Sequence, residues 1–468
     1  MQASVALRGD RILEIGNLKN YTAEHIIDGE GLVLAPGFID VHTHDDLAVI
    51  RTPEMLPKLS QGVTTVIVGN CGVSAAPVRL KANPPEPMNL LGDTEAFRYP
   101  TFISYVHAVG AAKPAVNVAA LVGHTALRNN HLDRLDRTAT DVEIQAMRAE
   151  LSDALDQGAI GLSSGLAYLN AFSALPQEVQ ALAEPLAERG GIYTTHMRSE
   201  GEAIQEAIQE SLHIGQAHKV PVVISHLKCA GIANWGRSGE VLATLDAART
   251  SQNVGWDCYP YAAGSTTLDL RQVDERVKIA ITWSTPHPEM AGRTLAQIAD
   301  MWQVNHVEAA RRLQPAGAIY HSISEEDMRR ILEHPATMIG SDGLPNDPRP
   351  HPRLWGTFPR VLGRYCRELK MFPLTRAIHK MTGMPARRFG LTDRGVVRAG
   401  CFADLVLFNP ETVCDTATFD NPICAAEGIE TVWVNGVQSY RNRARTSRRG
   451  GRFLPRQSTL HAANFEQF

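Results

Sequence analysis

The residues of this chain with chemistry in them recur at one kind of position. His42 and His44 stand two apart in FIDVHTHDD (38–46), at the end of an apolar run. On a strand that spacing turns both imidazoles to the same side, where two neutral ring nitrogens on one rigid element begin a metal site. His196 closes GGIYTTH and His226 closes VPVVISH, while Asp342 closes ATMIGSD just before Gly343. Each is a polar residue at the C-terminal tip of an apolar, β-branched run. Histidine and thiolate donors suit Zn²⁺, and such an ion with an open position brings the pKa of its water to about 7. Asp342 then reads as the general base that takes the water's proton, and as the acid that returns it to a leaving amine. Ahead of Gly343 it also reads as a helix N-cap. His124, in LVGHTALR, reads as a satisfied core histidine.

Cys71 ends the same kind of run, in VIVGNCGVSAAP (66–77), crowded by Gly69, Asn70 and Gly72. Local sequence leaves three roles open: a buried core thiol, a nucleophile or a metal ligand.

The elements that must position these tips repeat. VTTVIVGN, PAVNVAALVGH, GAIGLSS, GGIYTTH, VPVVISH, VGWDCYP and ATMIGSD each read as a buried parallel strand, and FIDVHTH makes an eighth. Helix-period spacers lie between them; in 200–218, Ile204, Ala207, Ile208, Ser211 and Leu212 share one face. Eight βα units predict an α/β fold, a (β/α)8 barrel whose strand tips converge on one catalytic face. The ends of the chain read instead as short strands broken by Gly. The expected organisation is therefore 1–37 and 394–468 pairing into one small β-sandwich around a 38–393 catalytic barrel. The spacer over about 262–324 is too long for a simple crossover and is expected to be an inserted lid. Seven arginines between Arg441 and Arg456 make a basic tail, read here as solvated or mobile.

A net charge of −4 argues against a general affinity for nucleic acid. No apolar run reaches the roughly 18 residues that span a bilayer. Seven scattered cysteines without a CxxC pair point to a reducing, cytoplasmic setting, and a small molecule is the expected partner.

The motifs PGFIDVHTHDD, QGVTTVIVGNCGVSAAP, TTHMRSEG, VVISHLK, CYPYAAGST, MIGSDGLPNDPRPHPRLWGTFPRVLG and GCFADLVLFNP resemble those of the N-acyl-D-amino-acid deacylases (D-aminoacylases) of the amidohydrolase superfamily, through nearly the whole chain. The resemblance implies a zinc-dependent hydrolase of linear amides. It carries metal ligation onto His42, His44, Cys71, His196 and His226, and the acid/base role onto Asp342. Cys71, His196 and His226 would hold one Zn²⁺ tightly, with a second, weaker site at the first His pair. Many amidohydrolases instead bridge two metals with a carboxylated lysine on the fourth strand. Here no lysine lies between Lys113 and Lys219, which leaves Cys71 as the anionic ligand.

For the substrate, the resemblance implies Lys228, Tyr259, Ser265 and Arg353 as partners of a D-amino acid carboxylate, the Arg contact being the strongest. ITWSTPHPE and KCAGIANWGRS look like the N-acyl-D-glutamate subtype, with His287 or Arg237 available to an acidic side chain. Family members begin with a further strand and a Gly-Gly turn that this chain lacks, a departure that bears on the sandwich rather than on the site. The rival readings are a cyclic-amide hydrolase or deaminase on the same scaffold and, further off, a metal-binding protein without activity.

Overall fold

In the computed structural model, residues 3–457 are described. Eight strands form one parallel sheet in the order of the chain: β1 (Phe38–Asp40), β2 (Val63–Val68), β3 (Asn117–Gly123), β4 (Gly161–Gly165), β5 (Ile192–His196), β6 (Val222–Ile224), β7 (Val254–Cys258) and β8 (Thr337–Ile339). A parallel bridge between Thr43 and Gly343 brings β8 back to β1 and closes the barrel. The strands are buried on both faces, as β2 shows with six buried residues in VTTVIV, so their sequences run apolar without alternation. The helix Ile204–His218 buries Ile204, Ala207, Ile208, Ser211 and Leu212 against the barrel, the face its periodicity predicts. Among the described residues no helix is long and apolar enough to cross a membrane.

The two chain ends meet. Val33–Pro36 pairs antiparallel with Leu405–Phe408, inside a five-stranded sheet completed by Ile429–Val434, Val437–Arg441 and Ala444–Arg445. The hairpin Ser4–Arg8 and Arg11–Gly16 lies over it, its Ile12 buried with Cys401, Ala403 and Leu405. Neither end has enough apolar surface to fold alone, so the pairing supplies the core that each lacks.

Between β7 and β8 the strands Gly264–Thr267, Ile279–Ser284 and Ala316–Tyr320 form a separate antiparallel sheet, with the last in the middle. Helices Leu295–Trp302 and His306–Leu313 cover it around a core that includes Leu268, Ile279, Ile281, Leu295, Ile298 and Leu313.

The arginines of the basic tail are largely exposed, as its solvated reading expects, but the end of the tail is anchored to the barrel. Val118 of β3 donates its N–H to the Arg452 carbonyl (2.9 Å) and accepts from Leu454 N–H (2.7 Å), while Arg456 N–H reaches the Gly158 carbonyl (2.9 Å). Leu454 is buried in the cluster of Ile39, Ile67, Leu121, Ile192 and Met338, side chains of five barrel strands, and Phe453 packs edge-on against Phe102. The arginines mask a short apolar plug, Phe453-Leu454, and their own charges are used locally: Arg452 donates to Asp10 (2.8 Å). Leu454→Ala is expected to lower stability by about 2–5 kcal/mol, read as a lower Tm with an unchanged KM.

Candidate metal and catalytic centre

The strand tips bring the donors together at one end of the barrel. His42, His44, Cys71 and Asp342 present ligand atoms within 4.8 Å of one another, and Cys71, His196 and His226 form a second such group. Cys71 belongs to both. Its Sγ lies 3.2 Å from His42 Nε2 and 3.3 Å from His226 Nε2. Asp342 Oδ1 stands 3.3 Å from His44 Nε2 and 3.5 Å from His42 Nε2. The strand β1 stops at Asp40, so the His pair sits on the turn beyond it, as His226 and Asp342 sit beyond β6 and β8.

These turns are strained. Cys71, His226 and Asp342 have φ of 55°, 36° and 50°, in the left-handed region that L-residues avoid. Such conformations cost about 1–3 kcal/mol each and cluster where geometry serves a reaction. The glycines beside Cys71 make its turn possible: Gly69 and Gly72 have φ of 80° and 75°, and a Cβ on Gly69 would lie 2.2 Å from the Leu121 carbonyl oxygen. No helix begins at Asp342; the next one starts at Arg353, so the N-cap reading of Asp342 does not hold.

Burial pushes the thiols of Cys229 and Cys258 up to about 12. Burial acts on Cys71 too, but the imidazoles of His42 and His226, followed by hydrogen bonds from His196 and His226, hold it well below its ordinary value. Cys71 is thus available as a thiolate while Cys229 and Cys258 are inert thiols. Asp342 is likewise buried, and burial opposes its charge. The guanidinium of Arg353, then His226, His44 and His42, outweigh that and keep its carboxyl well below the usual carboxylate range. Asp342 therefore rests as a carboxylate, able to accept a proton.

Above the tips opens a cleft whose walls include Tyr168, Glu200, Lys228, Tyr259 and, from the inserted sheet, Ser265 and Thr266. Tyr259 Oη and Ser265 Oγ are buried without a hydrogen-bond partner in the protein, and both residues line the cleft. Arg353 is buried behind this wall. Its Nη1 lies 2.9 Å from Asp342 Oδ2, an ion pair that misses hydrogen-bond geometry; Nη2 donates to the Ser265 carbonyl (2.9 Å), and its face covers the Tyr259 ring (4.5 Å). His287 does not come to the cleft: it packs on Trp302 (4.8 Å) and faces Glu289 (3.2 Å), in the inserted segment. Arg237 is held by Glu240 (2.7 Å) and the Glu202 carbonyl (2.9 Å). His124 points away to Glu178 (2.8 Å), which also binds Arg128.

Three site residues escaped the sequence reading. Glu200 Oε1 lies 2.9 Å from His226 Nδ1 and 2.5 Å from Lys228 Nζ, so it orients a metal-facing imidazole. An acid four residues after His196, inside TTHMRSEG, was its signal. Asp257 accepts the His226 backbone N–H (3.0 Å) and stands 3.7 Å from His42 Nδ1; a lone carboxylate in the apolar run VGWDC marked it. Tyr168, whose ring lies 4.8 Å from that of His196, had no local signal.

A thiolate shared by two groups of imidazole donors fits zinc, and β4 (GLSSG) offers no lysine to bridge a metal pair. Barrel and donor set define a metal-dependent hydrolase of the kind that works at the C-terminal ends of barrel strands. Residues 25–440 match the model of the amidohydrolase family, and the chain belongs to that family. It is 50% identical to a D-aminoacylase of Alcaligenes xylosoxydans xylosoxydans, over 97% of this chain and 94% of that one. An N-acyl-D-glutamate deacylase of the same organism is 47% identical, over 99% and 94%. Among solved structures, a D-aminoacylase superposes with a TM-score of 0.96 at 50% identity, over 97% of this chain and 96% of that one. An N-acyl-D-glutamate deacylase from Bordetella bronchiseptica, complexed with zinc and a phosphonate that mimics the tetrahedral intermediate, superposes with 0.94 at 46% identity, over 97% and 96%.

Proposed function

We propose that this chain hydrolyses the amide bond of N-acyl-D-amino acids, releasing a carboxylate and a free D-amino acid. The observation that carries the reading is one cleft in which the zinc donors, an anionic Asp342 and two unpartnered hydroxyls meet. Zinc on Cys71, His196 and His226, with a second position at His42 and His44, supplies Lewis acidity and an acidified water when bound. Lys228, Tyr259 and Ser265 hold the substrate's α-carboxylate, and Arg353 backs that wall. Asp342 takes the proton of the attacking water on the oxygen facing His44 and passes it to the departing nitrogen.

The side chain is best read as neutral. Among the described residues lining the cleft, Lys228 is the one lysine or arginine, and Glu200 already pairs with it. A second carboxylate would find Asp269 on the wall and neither His287 nor Arg237 within the cleft. The seven unpaired cysteines support a cytoplasmic setting.

The zinc-loaded protein is to be assayed on N-acetyl-D- and N-acetyl-L-methionine, N-acetyl-D-glutamate, a hydantoin and cytosine, with chiral detection of free amino acid. Release from the D-methionine derivative is expected. Ring opening or deamination in its place would move the protein to the rival class. Tyr259→Phe removes only a hydroxyl without a protein partner, so Tm should hold while KM rises about tenfold, the equivalent of about 1.5 kcal/mol for a hydrogen bond to a charged group.

A further inference from the structure

Every neighbouring pair of barrel strands shares a backbone ladder except the last and the first, which are joined by the single bridge of Thr43 with Gly343. Across this seam stand the groups that must cooperate, His42 and His44 on one side and Asp342 on the other. Backbone contacts there are few: Asp342 N–H to the His42 carbonyl (2.7 Å) and His44 N–H to the Gly343 carbonyl (3.0 Å).

Beneath the seam lies a lysine that the reaction described above does not use. Lys58, at the end of a short helix and wholly buried, places its ammonium 2.7 Å from Asp40 Oδ2, 2.9 Å from Thr43 Oγ1, 2.9 Å from Ser341 Oγ and 3.1 Å from Asp45 Oδ2. Asp40 in turn accepts the Ser341 N–H (2.8 Å) and hydroxyl (2.5 Å). Asp40, Thr43 and Asp45 flank the two histidines, and Ser341 directly precedes Asp342. All are buried. An ammonium and two carboxylates removed from water are a poor source of stability, but their fixed distances make a rigid link.

We propose that Lys58 is a positioning residue: its ammonium clasps the turn of His42 and His44 to the segment carrying Asp342 and thereby sets where the Asp342 carboxylate stands. This rests on Asp342 being the acid/base, as argued above. The clasp touches neither the tips that carry His196 and His226 nor the wall of Lys228, Tyr259 and Ser265. It therefore governs turnover and the second metal position, not substrate affinity or the tightly held zinc.

Two variants test it. Lys58→Met removes the clasp but strands two buried carboxylates; Ser341→Ala removes one arm and leaves the charges of the cluster unchanged. In both, kcat per folded, zinc-loaded chain should fall, about tenfold or more for Lys58→Met, with KM within twofold. Titration with a second equivalent of zinc reads the same geometry without turnover: affinity at His42, His44, Cys71 and Asp342 should weaken about tenfold, with the first zinc unchanged. That arm still decides if the wild type hydrolyses none of the amides, an outcome that would refute the proposed activity instead. Wild-type kcat and wild-type second-zinc affinity in the folded variants would overturn the proposal. If Lys58→Met yields no folded protein, Ser341→Ala decides by the same two readings.

Discussion

Asp342→Asn is expected to keep its zinc and its fold and to lose turnover by about 10²–10⁴-fold, the range that a positioned acid/base contributes. Asparagine has the shape of aspartate but cannot accept the proton that Asp342 Oδ1 is placed to take beside His44 (3.3 Å). The substitution also removes the anion facing Arg353, but that guanidinium keeps the Ser265 carbonyl and the face of Tyr259, so the wall should stand. Under the proposed reading the tightly held ion would draw its donors from the group of Cys71, His196 and His226, none of which changes. kcat on N-acetyl-D-methionine, measured beside zinc content on the same sample, checks both halves. Turnover within tenfold of wild type at full zinc would show that another group moves the proton.

Cys71→Ala acts on the opposite half of the site. It should weaken the tightly held zinc by more than about 100-fold, since even partners that only orient a ligand are worth 10–100-fold. Activity should vanish with the ion and return in part under excess zinc. The thiolate is the one donor common to both groups and the anion around which His42 and His226 stand at 3.2 and 3.3 Å. Competition with a chromogenic chelator reads the affinity directly. Unchanged zinc affinity would mean that the histidines hold the metal alone and that Cys71 is structural. A nucleophilic role would instead predict retained zinc with lost turnover, so one sample separates the three roles its local sequence leaves open.

The two groups of donors illustrate what a chain can announce about itself. A buried strand must be apolar, so a histidine, cysteine or aspartate at its tip stands out against its own neighbours, and eight such runs with helical spacers specify a barrel. His42, His44, Cys71, His196, His226 and Asp342 could be named for that reason, as could the pairing of two β-rich ends too small to fold apart. The basic tail is legible only in part by the same logic: its arginines are exposed, but their density masks Leu454, whose burial depends on the barrel floor being open to it.

What local pattern cannot carry is a contact between distant parts of the chain. His287 and Arg237 have suitable chemistry for an acidic side chain, and only packing places them outside the cleft. Tyr259 and Ser265 look like any polar residues until the fold leaves their hydroxyls without partners. Lys58 meets Ser341 across 283 positions; nothing near either residue marks the encounter, because the distance between them is set by the closure of the barrel. The sequence alone determined the donor types, the strand tips that carry them and the barrel that gathers them, since each follows from local burial and periodicity. Which donors stand within reach of one another, which hydroxyls line the cleft and what clasps the seam were decided by tertiary packing, because only there do residues far apart in the chain acquire fixed distances.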